Sequence, residues 1–355
     1  MTRTALTGVR VFDGHGLSEP GTVVIDGAVI GTDVSGARTV DASGAVLLPG
    51  LIDAHVHLHG PDDLRGLAAH GVTTGLDMAT WPPDLLASLR EVSGLSDFRS
   101  AGTPVIGPGG PHARIPGMAE DAVIHGPEQA ADFVAARIAQ GSDYIKVVLE
   151  EPGQGGPDRP SLDALVAAVH EHGRLIVAHA AWPGAYRWAV EAGVDVVTHI
   201  PLGQPLDAEI VERMASAGQI AVPTLTMMEG IASGLGMADA FTASLASVAA
   251  LHRAGVPVLA GTDANHQQGV PFQPAHGASL HHELELLVRA GLSEADALRA
   301  ATVLPARHFQ LTDRGAVESG LRADLLLIDG DPLADISATR KIVRVWCGGV
   351  EQTPA

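Results

Sequence analysis

Eight short apolar segments recur along roughly 260 residues of this chain: LLPGLIDAHVHL, VTTGLDM, TPVIGPG, DYIKVVLE, RLIVAHA, VDVVTHI, QIAVPTL and VPVLAGTDA. Each is short and largely β-branched, and the stretches between them are Ala/Leu-rich with helical spacing, as in PEQAADFVAARIAQG and SLDALVAAVHEHG. Near-continuous apolar strands alternating with helices bury both faces of a parallel sheet. Eight such units predict an α/β fold, a (β/α)8 TIM barrel over residues 50–315. The second helix is expected to open on Ser161 as its N-cap and to stop at Gly173. Both ends of the chain break the rhythm. TALTGVRVF, GTVVIDG, AVIG and RTVDA precede the barrel, and ADLLLIDGDP and KIVRVWCGG follow it. Residues 1–49 plus 316–355 are therefore expected to form a small β-sandwich beside the barrel.

Composition narrows the function classes. With 46% hydrophobic and 18% charged residues in 355, the chain has material for a large core and none of the character of a disordered one. A formal charge of -19 repels phosphate backbones and argues against a nucleic-acid partner. Cys347 is the only cysteine, so an internal disulfide and CxxC chemistry are excluded. The N-terminal segment lacks an apolar signal-peptide core, and no stretch reaches 18 apolar residues, so a cytoplasmic protein without a membrane partner is expected. No GxSxG elbow or GxxxxGK[ST] loop occurs, which disfavours serine-nucleophile and phosphate-loop chemistry.

What remains is a set of side chains at strand ends, where barrels of this kind place their chemistry. His55 and His57 close the first segment, and their i, i+2 spacing puts both imidazoles on one face. His179 closes the fifth, His199 the sixth and Asp263 the eighth. Singly, a strand-end histidine is a hydrogen-bonded structural residue and Asp263 a helix cap. Together, at equivalent ends of one barrel, they converge on a single mouth suited to metal. Lys146 lies inside the apolar fourth segment, where an ammonium is costly unless paired or neutralised. An ion pair with Glu150, Asp143 or Asp263 would satisfy it. So would loss of its proton, leaving a nucleophilic amine.

The segments LPGLIDAHVHL, DYIKV, IVAHA, VEAGVDVVTHI, HRAGVPVLAGTDA and ESGLRADLLLIDGDPL resemble the metal-dependent amidohydrolase superfamily, and within it the prolidase-like and imidazolonepropionase-like branches. The resemblance implies a binuclear site in which the lysine of the fourth strand is carboxylated. His55, His57 and Asp263 would hold the more buried of two divalent ions, most simply Zn2+. His179 and His199 would hold the other, and Lys146 both. Water between two ions about 3.5 to 4 Å apart loses its proton near neutrality. Asp263 is the implied general base and acid, with His199 beside it as the second catalytic candidate.

The implied activity is hydrolysis of an amide-type C–N bond in a small-molecule substrate: an N-acyl amino acid, a dipeptide or a related small carboxylate. Cyclic amides or imidazolones, lactones and phosphoesters would suit the same site, and a catalytically silent binding protein is the alternative of a different class. His112 and Arg114 in GPGGPHARIPG, Tyr186 after the fifth strand and His266 after Asp263 are the candidate substrate contacts. The resemblance leaves homo-oligomerisation open.

Overall fold

The computed structural model describes residues 3–355. Fifteen strands are numbered in chain order. β1 (Thr4–Val11), β2 (Gly21–Asp26), β3 (Val29–Gly31), β4 (Arg38–Asp41) and β5 (Ala45–Pro49) precede the helical region. β6 (Leu51–Val56), β7 (Val72–Asp77), β8 (Asp97–Ser100), β9 (Ile145–Val148), β10 (Ile176–His179), β11 (Val196–Thr198) and β12 (Ile220–Val222) alternate with helices. β13 (Leu325–Asp329), β14 (Ile342–Cys347) and β15 (Val350–Gln352) end the chain.

β6, β7 and β8 form one parallel sheet, and β9 to β12 another. Isolated parallel bridges join them. Val105, beyond β8, pairs with Val147 of β9. Residues 256–264 pair with β12 through Val258 and Ala221, and with β6 through Ala264 and Val56. The parallel pairings thus run through eight segments and return to the first. Ile52, Ala54, Leu76, Val177, Val196 and Val222 of these strands pack into one cluster at near-zero exposure, as a packed core requires.

Three local expectations are corrected. The third strand is the polar DFRS of β8, and the predicted TPVIGPG contributes the Val105 bridge after it. The eighth segment is held by single bridges without a regular ladder. The helix Arg159–Glu171 is capped by Asp158, whose carboxylate accepts the Ser161 amide at 2.9 Å, so Ser161 sits in its first turn. Pro160 fits that first turn, where its missing N–H costs nothing.

The two ends of the chain meet. β5 pairs antiparallel with β13, Leu47 opposite Leu327, and the connected sheet runs β15-β14-β13-β5-β1-β2-β3 with β4 beside β1. β1 serves two partners with its two halves: Thr4–Thr7 pair with β4, and Arg10–Val11 with β5. Its register with β2 shifts between Thr7 and Val9, around Gly8 at φ 71°, a left-handed position that suits glycine. Leu6, Leu47, Leu325 and Trp346 fill the space this sheet encloses. No described helix is long and apolar enough to cross a membrane.

Candidate metal centre

The six residues expected as ligands all line one cavity of about 330 Å3. They reach it from the parallel strands and their ends: His55 in β6 and His57 just after it, Lys146 within β9, His179 at the end of β10, His199 after β11 and Asp263 near the end of the eighth segment. Asp263 Oδ1 lies 3.0 Å from His57 Nε2 and 3.3 Å from His55 Nε2, and Oδ2 lies 3.9 Å from His199 Nδ1. The His179 and His199 rings stand edge to face with centroids 4.2 Å apart, and His55 and His199 are 5.0 Å apart.

The donor set fits a divalent ion. One ligand atom from each of His55, His57 and Asp263 falls within 4.8 Å of the others, the imidazole and carboxylate mixture that zinc-type ions accept. His199 Nε2 is buried without a hydrogen-bond partner, a cost that a bound ion would remove. His199 Nδ1 meets Thr224 Oγ1 at 2.9 Å, which fixes the ring and leaves Nε2 directed at the cavity.

Burial sets the protonation states. Desolvation drives His55 and His179 well below the ordinary histidine range. It takes His199 down to about 3 despite the opposing charge of Asp263. Neutral imidazole is the form that binds metal. Burial would raise Asp263, but the hydrogen bond with His57 and the charges of His199, His57 and Lys146 outweigh it and hold the carboxyl below its usual value. Desolvation pulls Lys146 down to about 7 against the opposing charges of Asp263 and Asp77. Its Nζ donates to Thr198 Oγ1 at 2.8 Å, and no ion pair forms with the three carboxylates that could have matched it. Asp143 instead pairs with Arg90, and Glu150 with His112.

Around the ligands stand buried carboxylates. Asp53 accepts the amides of His55 at 3.1 Å and Thr262 at 3.0 Å, and the Thr262 hydroxyl at 2.7 Å. Glu283 accepts the amides of Leu225 and Thr226 and the Thr226 hydroxyl, at 2.9, 2.7 and 2.8 Å. Asp77 accepts the Leu58 amide at 3.0 Å and the Ser100 hydroxyl.

Of the expected substrate contacts, His112 lies on the cavity wall, its Nδ1 2.8 Å from Glu150 Oε1. Arg114 does not line the cavity. It ends the 3-10 turn Pro111–Arg114, whose geometry turns residues two apart to different sides, and its guanidinium is exposed, donating to Gly109 O at 3.3 Å. Tyr186 is also off the wall. It belongs to the inner stripe of helix Pro183–Ala192 with Ala189 and Val190, is fully buried, and puts its hydroxyl 3.4 Å from Met214 Sδ. His266 turns away toward Asp63, while its neighbours Asn265 and Gln267 line the cavity.

The rest of the wall is apolar: Met78 and Trp81 after β7, Ile115 and Met118 in the loop after β8, and Trp182 after β10 and Met227 and Met228 after β12, three residues whose type suits helix-packing core as well as a pocket. Their signal was position, since each follows a strand end. Trp81 also donates its indole N–H to Gly117 O at 2.8 Å, fastening the loop that carries His112.

The chain is similar to known proteins over most of its length. An uncharacterized protein of Mycobacterium tuberculosis is 30% identical over 340 residues, covering 87% of this chain and 85% of that one. Ochratoxinase of Aspergillus niger is 25% identical over 372 residues, covering 86% and 75%. The crystal structure of a Xaa-Pro dipeptidase with bound methionine superposes with a TM-score of 0.83 at 23% identity, over 99% of each chain, a likeness of fold. That family fold is the TIM barrel, in keeping with the ring of parallel pairings. Residues 46–351 match the amidohydrolase family, so this chain belongs to that family and is an amidohydrolase, a hydrolase acting on carbon–nitrogen bonds.

Proposed function

We propose that the protein hydrolyses an amide-type C–N bond at a binuclear metal site, with His55, His57 and Asp263 holding one ion, His179 and His199 a second, and Lys146, as its carbamate, both. The observation that carries this reading is His199 Nε2, a buried imidazole nitrogen without a partner, in a cavity lined also by His55, His57, Asp263 and a desolvated lysine. Zinc or a similar ion bound there would supply a water poised to lose its proton near neutrality and an electrophile for the substrate carbonyl.

The chain's own groups do the rest. Asp263, kept ionised by His57 and its other neighbours, accepts the proton of the attacking water. The water oxygen bonds to the carbonyl carbon, the C–N bond breaks, and Asp263 returns the proton to the leaving nitrogen. His199, locked by Thr224, stands 3.9 Å from the second Asp263 oxygen, close enough for its charge to favour the ionised carboxylate. The apolar wall excludes bulk water and takes the substituents flanking the scissile bond.

N-acyl amino acids, dipeptides and related small carboxylates with apolar side groups are the substrate class. With Arg114 outside, His112 and Gln267 are wall groups available to a substrate carboxylate. Residues 50–315 form the catalytic barrel in this reading. Residues 1–49 plus 316–355 form a satellite β-sandwich whose corner is the shift in β1. The physiological partner is the small molecule alone, without nucleic acid.

The test joins metal analysis to a substrate panel. The purified protein should contain divalent metal, lose activity on chelation and regain it with Zn2+, and Lys146→Ala should lose both metal and activity. The panel should favour acyclic amides with apolar groups over cyclic amides, lactones and phosphoesters. A metal-free protein that hydrolyses amides at the full rate would refute the proposal.

A further inference from the structure

Outside the cavity, Asp63, His266 and His276 bring one ligand atom each within 4.8 Å of the others. Asp63 stands in the helix Pro61–Ala69, and the two histidines stand near the two ends of the segment 265–277 that follows the eighth barrel segment. Asp63 Oδ1 lies 3.2 Å from His266 Nε2 and 3.5 Å from His276 Nδ1. Its other oxygen accepts the His59 amide at 2.7 Å, which fixes the carboxylate in place.

His276 is the informative residue. It is 6% exposed, and its Nε2 lies 2.9 Å from the His57 carbonyl oxygen. A carbonyl only accepts, so Nε2 carries the hydrogen, and the neutral ring presents a bare lone pair at Nδ1. That Nδ1 is buried with no hydrogen-bond partner and faces the Asp63 carboxylate, another acceptor. Two acceptors confronting each other in a buried place call for a cation between them. Gly277 supports the geometry: at φ 78° it brings the segment so close to the helix that a Cβ there would lie 2.5 Å from Gly66 O, so His276 is held against Asp63 by backbone packing.

We infer that Asp63, His266 and His276 form a separate site for a borderline divalent cation such as Zn2+, which ties residues 265–277 to the helix Pro61–Ala69. Two imidazoles and one carboxylate match that class of ion, and they leave further positions to water. Asn265, Gln267, Val270 and Pro271 of the tied segment line the substrate cavity, so occupancy fixes one of its walls. The site shares no ligand with the proposed catalytic centre and does not rest on that reading.

Equilibrium dialysis of the full chain, purified with its own metal, against Zn2+ tests it. The wild type should take up one more ion per chain than His266→Ala and than Asp63→Asn. Binding at this site should weaken by at least about 100-fold, the loss that even outer partners of metal ligands reach. His266 is largely exposed, so its replacement keeps the fold. His125→Ala removes another exposed histidine and should leave the count at the wild-type value. Hydrogen exchange in residues 265–277 should slow on adding Zn2+ in the wild type and not in His266→Ala. Equal ion counts in the wild type and both site variants would overturn the inference, and so would an equal loss in His125→Ala.

Discussion

Lys146 offers the sharpest test of the site, because its burial makes a claim about stability as well as chemistry. Its ammonium is drawn from 10.5 down to about 7 by desolvation. The folded-state value lies below the unfolded one, so between about 7 and 10.5 the unfolded chain holds the proton more tightly. Stability of the metal-free protein must then rise with pH across that window, and the penalty is fully present below about pH 7. The full span corresponds to about 5 kcal/mol, and the part between pH 7 and 9 to about 2 kcal/mol. Lys146→Met keeps the bulk and removes the charge. Urea denaturation of chelated wild type and Lys146→Met at several pH values between 6.5 and 9.5 isolates the contribution, because other titrating groups are common to both. The wild type should gain on the variant by about 2 kcal/mol from pH 7 to 9, with the variant the more stable at neutral pH although inactive. Parallel profiles would refute the argument and remove the reason for a neutral amine here. The same shift has a chemical side. Near pH 7 about half of Lys146 is unprotonated, against about one in 3,000 for an ordinary lysine, and the unprotonated amine is the form that adds carbon dioxide.

Two further outcomes bear on the reaction and the pocket. Asp263→Asn, assayed with enough added Zn2+ to offset the weaker binding of a ligand without its charge, should lower turnover by about 10²- to 10⁴-fold, the usual contribution of a positioned acid–base group; unchanged turnover would remove Asp263 as proton carrier. Trp182→Ala, at the cavity wall and 56% exposed, should raise KM about tenfold for amides with bulky apolar acyl groups and leave acetyl substrates nearly unaffected, since about 1 to 2 kcal/mol of apolar burial is lost only with the former. An equal effect on both would mean that the indole does not contact the acyl group.

The ligand positions were legible because strand ends are legible. HVH, VAH, VTH and GTDA each terminate an apolar run, and barrel geometry carries such ends to one mouth. Lys146 was legible for the opposite reason, as a charge where the pattern has no room for one. β8 was harder to read because DFRS buries only Phe98 and Ser100 and has no apolar run. Tyr186 and Arg114 were misplaced because sequence proximity to a strand end does not fix which side of the next turn a residue faces. The Asp63, His266 and His276 cluster could not be read at all. Asp63 lies some 200 residues before the two histidines, and they meet only because the eighth segment closes beside the first.

The same closure explains a cost that the sequence hides. His199, Thr224 and Asp263 have φ values of 71°, 47° and 60°, a left-handed conformation that none of these side chains favours as glycine does. They follow β11, β12 and the eighth segment, where the chain must leave the barrel abruptly if an imidazole or carboxylate is to point inward. Such residues cost about 1 to 3 kcal/mol each and persist only where the surroundings over-determine them. Here the surroundings are the buried carboxylates. Glu283 takes the two amides directly after Thr224. Asp53 takes the Thr262 amide directly before Asp263, and the His55 amide opposite it. Burial pushes both carboxyls up to about 7, a penalty that an apolar residue would avoid. The chain therefore keeps two costly acids for what only they provide: acceptors for amides that the irregular strand ends leave without ladder partners, at the turns that aim the ligands.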